Sequence, residues 1–465
     1  MYPIVLLSFF GVVTLFLGFS KSKNILLPAT LFFLIIALAG NFIEWDKGPL
    51  LYFYDMLRVD NVTLAFNGII LLSAFMIFAI SGGFQDNPDA EPAEYYGLML
   101  FSLVGALMMV GFQHLIMLFI GVEILSVAMY VLTGSNKRNL RSNEAALKYF
   151  LMGAFATGFM LFGITLLYGA TGSFKLEQIQ GFASNMPAGS ESYILYAGLL
   201  LLLIGMLFKV SAAPFHFWTP DVYEGAPTIF TTFMSTVVKT AGFAALFRLL
   251  SGSFTGTYGF WWIVIAAIAV LTLVVGNIGA SSQNSFKRML AYSGISHAGY
   301  LLIALTALTK PSQNAIIFYS LAYSLSTICA FGVLMLVSKE KTIEGQPNEY
   351  YDAFNGLAKQ NPLLAFVLTV SMLSLAGIPL TAGFWGKFFI FTSAAERGII
   401  WITVIAVLMS TVGIYYYFRV IISSYLKEGD LIKIRVAPFY QVILVLATFL
   451  TILFGLAPGI FEGVI

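Results

Sequence analysis

Fourteen apolar runs divide this chain, and each is about long enough to cross a bilayer. A membrane-spanning helix needs about 20 consecutive, mostly apolar residues, because that length covers the hydrocarbon core. The runs lie near residues 2–19, 25–43, 61–81, 95–111, 114–133, 144–169, 191–213, 227–250, 259–280, 288–309, 314–338, 362–394, 398–424 and 436–458. Such runs have to satisfy their own backbone groups in lipid, and helices do this. The fold expected is therefore an all-α polytopic membrane protein of about 14 transmembrane helices. Pro214 closes the seventh run, and Pro379 and Gly383 interrupt the twelfth. Both are expected as broken helices, since proline removes a helix hydrogen bond.

Composition closes off the alternatives. Hydrophobic residues make up 59% and charged residues 10%, against about 25% charged in ordinary soluble domains. With a mean hydropathy of +0.90, a soluble globule and a disordered chain are excluded. An outer-membrane barrel would alternate polar and apolar residues instead. One cysteine, Cys329, cannot build a disulfide framework, a thiolate zinc site or an iron–sulfur cluster. A net charge of +2 gives no footprint for nucleic acid. No glycine-rich phosphate loop follows a strand.

Charge also predicts orientation. The first apolar run precedes its lysines, Lys21 and Lys23, the reverse of a secretory signal, so it reads as a retained span entered from outside. With the amino terminus outside, the odd-numbered loops hold 13 basic residues and the others hold 6. That asymmetry predicts both termini on the periplasmic side of a bacterial plasma membrane. The loop at 82–95, with four acids and no base, does not contribute.

A faint repeat runs through the chain. With a shift of 169 residues, Tyr149-Phe150 falls on Phe318-Tyr319 and Phe162-Gly163 on Phe331-Gly332. The seventh and twelfth runs each carry a lysine near a proline, Lys209 with Pro214 and Lys387 with Pro379. Interrupted spans in corresponding halves point to a transport site near the midplane. Spans four to eight and nine to thirteen supply five helices each, so the second repeat is expected to be inverted. The organisation expected is three amino-terminal helices in 1–94, a first five-helix repeat in 95–250, a second in 259–424, and a last loop and helix in 425–465.

The charges inside the spans carry the chemistry. Lys148, Lys209, Lys239 and Lys387 lie within predicted spans, and Glu123 is the one carboxylate at comparable depth. A lysine at the bilayer centre costs about 2.5–3.5 kcal/mol on insertion scales. For Lys148, near a helix end, a snorkelling pin is an even alternative to a functional role, and for Arg419 it is the better reading. Lys209, Lys239 and Lys387 lie too deep to snorkel, and one glutamate cannot pair with all three. An ammonium buried without a full counter-charge holds its proton less tightly, so a file of such lysines reads as a proton relay. Glu123 would strengthen the hold of whichever lysine approached it, which makes a switch. His297 could bridge the relay or simply pack through hydrogen bonds. His216, near a span end, reads as an interfacial structural group or a proton-entry group, and His114, which begins the fifth span, reads as interfacial.

These residues lie in motifs that resemble the proton-antiporter-like membrane subunits of respiratory complex I. The motifs are FKVSAAPFHFWTPDVYEGAPT, STVVKTAGF, GVEILSVAMYVL, KRMLAYSGISHAGY and LSLAGIPLTAGFWGKF. The resemblance covers roughly residues 95–425 in the same order. The wording WTPDVYEGAPT, the lysine at 387 and the stop after the fourteenth span resemble the N-type branch. The resemblance implies that Glu123 pairs with Lys209, that Lys239 connects, that Lys387 is the exit-side lysine, and that Lys148 and His297 are further relay groups.

It also implies an indirect mechanism. No cofactor is expected in this chain, while FMN, iron–sulfur clusters and quinone belong to other subunits of an NADH-quinone oxidoreductase. Expected partners are the other membrane subunits, with M-type and K-type neighbours, and the lipid bilayer. The runner-up is a D-type subunit of a multi-subunit sodium/proton antiporter, which would use the same lysines. A hydrogenase membrane subunit is a third relative. Against a stand-alone solute transporter, no span shows a cluster of polar groups suited to an organic substrate, and a purely structural anchor would tolerate loss of all three deep lysines.

Overall fold

The computed structural model describes residues 1–82, 91–186, 190–343, 346–429, 433–434 and 436–462. All fourteen runs are helical; most boundaries shift by a few residues, but the seventh span continues past its expected end at 213 in a second piece that reaches Gly225. Spans one to six are Tyr2–Leu17, Leu26–Phe42, Asn61–Ala79, Pro92–Gly111, Leu115–Thr133 and Leu140–Thr171. Span seven is two pieces, Ser190–Lys209 and Trp218–Gly225. Span eight passes through Thr228–Phe233, a π-helical turn at Met234–Val238, and Lys239–Ser253. Spans nine to eleven are Tyr258–Ser281, Phe286–Ala307 and Lys310–Glu340. Span twelve is again two pieces, Pro362–Ala376 and Ala382–Glu396, and spans thirteen and fourteen are Ile400–Leu426 and Pro438–Leu456. Among the described residues, twelve helices are long and apolar enough to cross a membrane, and Tyr2–Leu17 and Pro362–Ala376 are shorter apolar helices. Most of the acidic loop at 82–95, and Arg435 of the thirteenth loop, lie outside the described residues.

The helix ends follow from local chemistry. Asp60 accepts from the Thr63 amide at 2.9 Å and, with Thr63 reaching back, forms a capping box at the start of span three. Thr309 and Ser312 do the same for span eleven. Pro92, Pro362 and Pro438 open their helices, where a missing amide hydrogen costs nothing. Phe9, Phe155, Leu408 and Phe449 are exposed on spans one, six, thirteen and fourteen, as helices whose solvent is hydrocarbon require.

Two compact units make up the chain. One holds residues 1–218 and 237–265, and the other 219–236 and 266–465. In the first, spans six and seven touch backbone to backbone. A Cβ on Gly163 would stand 2.5 Å from the Leu202 nitrogen and 2.7 Å from the Gly198 carbonyl oxygen. Small residues at such crossings let van der Waals contact replace the hydrophobic drive that lipid removes. At one end of this unit, Arg248 of span eight donates to the Val110 carbonyl at 2.8 Å, Asp60 at 2.9 Å and Thr63 at 2.6 Å. One guanidinium thus ties spans three, four and eight.

In the second unit span eleven is the axis, buried along most of its length, with spans twelve and fourteen packed on it. Cys329 is buried there, with its sulfur 3.6 Å from Thr448 Oγ1, and acts as a small packing group. Trp385 donates to the Gly455 carbonyl at 2.9 Å and so fixes the second piece of span twelve to span fourteen.

Two outcomes test this packing. Gly163→Val is expected to cost about 3 kcal/mol, the upper end of the usual overpacking range, measured as a lowered thermal midpoint in detergent. Burial opposes the Asp60 charge, but the Arg248 guanidinium and the Thr63 hydrogen bonds outweigh it and hold its carboxyl below the ordinary 3.8. Its stabilisation is therefore complete above that value and lost as pH falls through the lower folded value. Asp60→Asn should lower stability at neutral pH and flatten the acid limb of a melting-versus-pH curve.

Candidate functional site

Three of the predicted lysines are buried, each beside an irregularity in the helical backbone. Lys209 is the last residue of the first piece of span seven and is 4% exposed. The chain then leaves helical geometry, with Ser211 in the left-handed region at φ 63°. The Lys209 ammonium donates to Ser126 Oγ at 2.8 Å and to the Tyr149 hydroxyl at 3.5 Å. Ser126 in turn donates to the Val122 carbonyl. Glu123 lies three residues before Ser126, so both share one face of span five. Its Oε1 is buried without a hydrogen-bond partner. The contact expected as a Glu123–Lys209 ion pair is thus occupied by a serine hydroxyl and a tyrosine. Tyr149 is held by edge contact with Tyr130, with centroids 4.7 Å apart, and by stacking on Trp218 at 4.6 Å. The Trp218 indole donates to the Phe208 carbonyl at 3.2 Å and so satisfies part of the exposed end of the first piece.

Lys239 is 2% exposed and follows directly after the π-helical turn. Such turns insert an extra residue and recur at functional sites. One turn further on, a Cβ at Gly242 would meet Val210 Cγ1 at 2.7 Å. The Lys239 helix therefore packs against the start of the break in span seven.

Lys387, in the second unit, is 6% exposed. It sits in the second piece of span twelve and reaches back across the break. Its ammonium donates to the Leu375 and Ala376 carbonyls at 3.1 and 2.9 Å and to Ser410 Oγ at 3.0 Å. It also stands 4.8 Å from the centre of the Tyr300 ring. A cation on the last carbonyls of a helix meets the negative end of its dipole. Gly377 makes this possible: its φ is +82°, and a Cβ there would meet Lys387 Cδ at 2.8 Å. Leu380, at φ 75°, is the counterpart of Ser211 in the other break. His297, 2% exposed, engages both ring nitrogens: Nδ1 with the Tyr319 hydroxyl at 2.5 Å and Nε2 with the Tyr417 hydroxyl at 3.0 Å.

Other predicted groups lie elsewhere. Lys148 is on the outer wall of span six, paired with Glu144 at 2.7 Å, with the two side chains 40% and 61% exposed. It does not join the buried lysines. His114 caps span five through the Ile116 amide, His216 lies in the break of span seven, and Arg419 donates to the Ser281 and Gln283 carbonyls and covers the Tyr351 ring. Among the described residues no group of three histidine, cysteine or acidic side chains is placed to hold a metal ion.

The sequence reading missed an ionic cluster in the second unit. Lys287, read as a loop residue, is buried in the first turn of span ten. It donates to Glu349 at 3.0 Å and to the Ala226 carbonyl at 2.7 Å. Its neighbour Arg288 pairs with Asp221 at 2.8 Å and Glu224 at 2.9 Å. Both acids belong to the WTPDVYEGAPT motif, so their spacing on a short helix was the available signal.

Comparison with known proteins agrees with this architecture. The family described as NADH:quinone oxidoreductase/Mrp antiporter, TM, matches residues 113–413. The NADH-quinone oxidoreductase subunit N of Cytophaga hutchinsonii is 41% identical over 463 residues, covering 99% of this chain and 98% of the relative. That of Trichlorobacter lovleyi is 42% identical over 431 residues, covering 92% and 87%. A chain of respiratory complex I from Thermus thermophilus, solved with bound aureothin, superposes with a TM-score of 0.84 at 35% identity, covering 98% of this chain and 97% of that one. The chain belongs to this family of antiporter-like membrane subunits, within the subunit N branch that these relatives represent.

The break in span twelve gives a direct test. A non-glycine residue held at positive φ costs about 1–3 kcal/mol, so Gly377→Ala is expected to lower the thermal midpoint and crowd Lys387. Gly158→Ala, where a Cβ meets nothing within 4 Å, should leave the midpoint unchanged or raise it.

Proposed function

We propose that the chain is a proton-translocating membrane subunit of an NADH-quinone oxidoreductase, with Glu123, Lys209, Lys239, His297 and Lys387 as its relay. The observation that carries this is the polar setting of Lys209 and Lys387. The partners found for these two ammoniums are hydroxyls and backbone carbonyls at helix breaks. Such partners hold an ammonium and a neutral amine alike, whereas a bound carboxylate would lock the charge in place. The names of the 41–42% identical relatives support the assignment to this complex.

In this reading electrons pass from NADH through FMN and iron–sulfur clusters to quinone in other subunits. The change reaches this chain through neighbouring membrane subunits, M-type and K-type. Ser126 stands at the switch. When Lys209 leaves Ser126 for the Glu123 carboxylate, its charge is favoured, and when it returns, the proton is released towards Lys239, His297 and Lys387. Moving one charge against 100 mV requires about 2.3 kcal/mol, and removing one partner of a buried charge costs about 3–5 kcal/mol, so the switch has the capacity. Spans four to eight and nine to thirteen act as two inverted halves, with both termini periplasmic in a bacterial inner membrane. Lys148, in its exposed pair with Glu144, stands outside the file.

Lys209→Ala is expected to abolish most proton pumping, and the NADH–quinone activity coupled to it, while the complex still assembles. Glu123→Gln is expected to be milder. The check is dye-quench proton uptake by membrane vesicles, with assembly read on native gels, and normal pumping by an assembled Lys209→Ala complex would overturn the reading. Affinity purification separates it from the sodium/proton antiporter alternative. Flavin and iron–sulfur absorbance should accompany the tagged chain, and co-purification of hydrophobic subunits alone would favour the antiporter.

A further inference from the structure

The second unit contains a chain of hydroxyl groups that the lysine file does not use. His297 sits between two tyrosines from different helices. Tyr319 of span eleven is on Nδ1 at 2.5 Å, and Tyr417 of span thirteen is on Nε2 at 3.0 Å. Tyr417 is itself 2.5 Å from Ser293 Oγ, one turn before His297 on span ten. All four side chains are buried, at 1–2% exposure. Neighbouring span thirteen and span nine residues continue the polar network: Tyr416 donates to Asn277 Oδ1 at 3.1 Å.

Packing fixes the chain in place. The Tyr319 ring lies against span twelve where Gly386 leaves room, since a Cβ there would stand 2.5 Å from Tyr319 Cδ2. Gly386 immediately precedes Lys387. The Tyr300 ring lies under the Lys387 ammonium, which stands 4.8 Å from its centre.

We infer that Ser293, Tyr417, His297 and Tyr319 form a proton wire that carries protons to the Lys387 side of the unit, with both tyrosine hydroxyls as proton-carrying groups. A neutral imidazole has one N–H donor and one bare acceptor nitrogen. One flanking tyrosine must therefore donate to it and the other accept from it, which gives the chain a direction at any instant. A proton arriving at Ser293 Oγ displaces the hydroxyl hydrogen to Tyr417, and the Tyr417 hydrogen passes to Nε2. The hydrogen on Nδ1 then passes to Tyr319, which releases its own hydrogen towards the Lys387 amine. Each transfer breaks one O–H or N–H bond and forms another. One charge enters, one leaves, and the imidazole ends in its other tautomer. Return of that tautomer resets the wire, so one passage cannot follow another without it.

This rests on the proton-translocation reading, and its test separates the two. Tyr319→Phe and Tyr417→Phe keep the rings and remove only the hydroxyls. In assembled complexes, both are expected to lose dye-quench proton uptake. Ser293→Ala should slow uptake and enlarge the solvent deuterium isotope effect on it, a readout that loss of packing alone does not move. Tyr440→Phe is the control: its hydroxyl donates to the Gly332 carbonyl at 3.2 Å, away from the wire, and uptake should be unchanged. If both phenylalanine variants pump normally while His297→Gln and Lys387→Ala do not, the tyrosine wire is wrong and the relay stands. Normal pumping by Lys387→Ala as well sinks the relay itself. Should the phenylalanine variants fail to assemble, Ser293→Ala decides, and an unchanged rate with an unchanged isotope effect overturns the wire.

Discussion

An ammonium inside a bilayer-spanning bundle must receive its polar partners from the protein, because lipid offers none. Much of this structure follows from that requirement. A continuous helix has no carbonyls to spare, since each already accepts a hydrogen bond four residues on. Breaking the helix frees carbonyls at the end of the first piece. Lys387 takes two of them, Leu375 and Ala376, and the glycine at 377 supplies the turn and the room. The broken helix and the buried lysine are therefore one feature.

The first unit meets the same requirement differently. There Lys209 ends the first helical piece itself, and its ammonium points across to span five and span six, where Ser126 and Tyr149 receive it. The exposed end of the helix is met in part by the Trp218 indole. Both breaks hold a non-glycine residue at positive φ, Ser211 and Leu380. Strain of that kind persists only where the surroundings enforce it, and it gathers at functional sites. Serine, tyrosine and carbonyl partners carry no fixed charge, which suits the proposed relay.

The ion pairs of Arg248, Lys287 and Arg288 lie near helix ends. Arg248 with Asp60 in one unit, and Lys287 and Arg288 with Glu349, Asp221 and Glu224 in the other, are true ion pairs. Arg248 joins three helices, and Lys287 holds the carbonyls that close a short helix. These pairs set helix positions. Lys209 and Lys387 are held by neutral partners.

Fourteen spans, most of their limits and the two breaks were legible in the chain, because apolar length and proline act locally. It also singled out Lys209, Lys239 and Lys387, since a charge deep in an apolar run is conspicuous wherever the helix packs. It could not decide which groups those lysines meet. Ser126, Tyr149 and Ser410 are ordinary residues in their own helices, and only packing turns them inward. For the same reason the sequence left Lys148 open between a pin and a relay group; in the fold it lies exposed beside Glu144, because helix rotation depends on neighbours that a single run does not reveal. Lys287 shows the reverse: a residue at a loop boundary became buried because distant Glu349 and the short helix at Trp218–Gly225 close over it. Depth along the helix was legible in the chain. Direction around the helix was decided only when the helices packed.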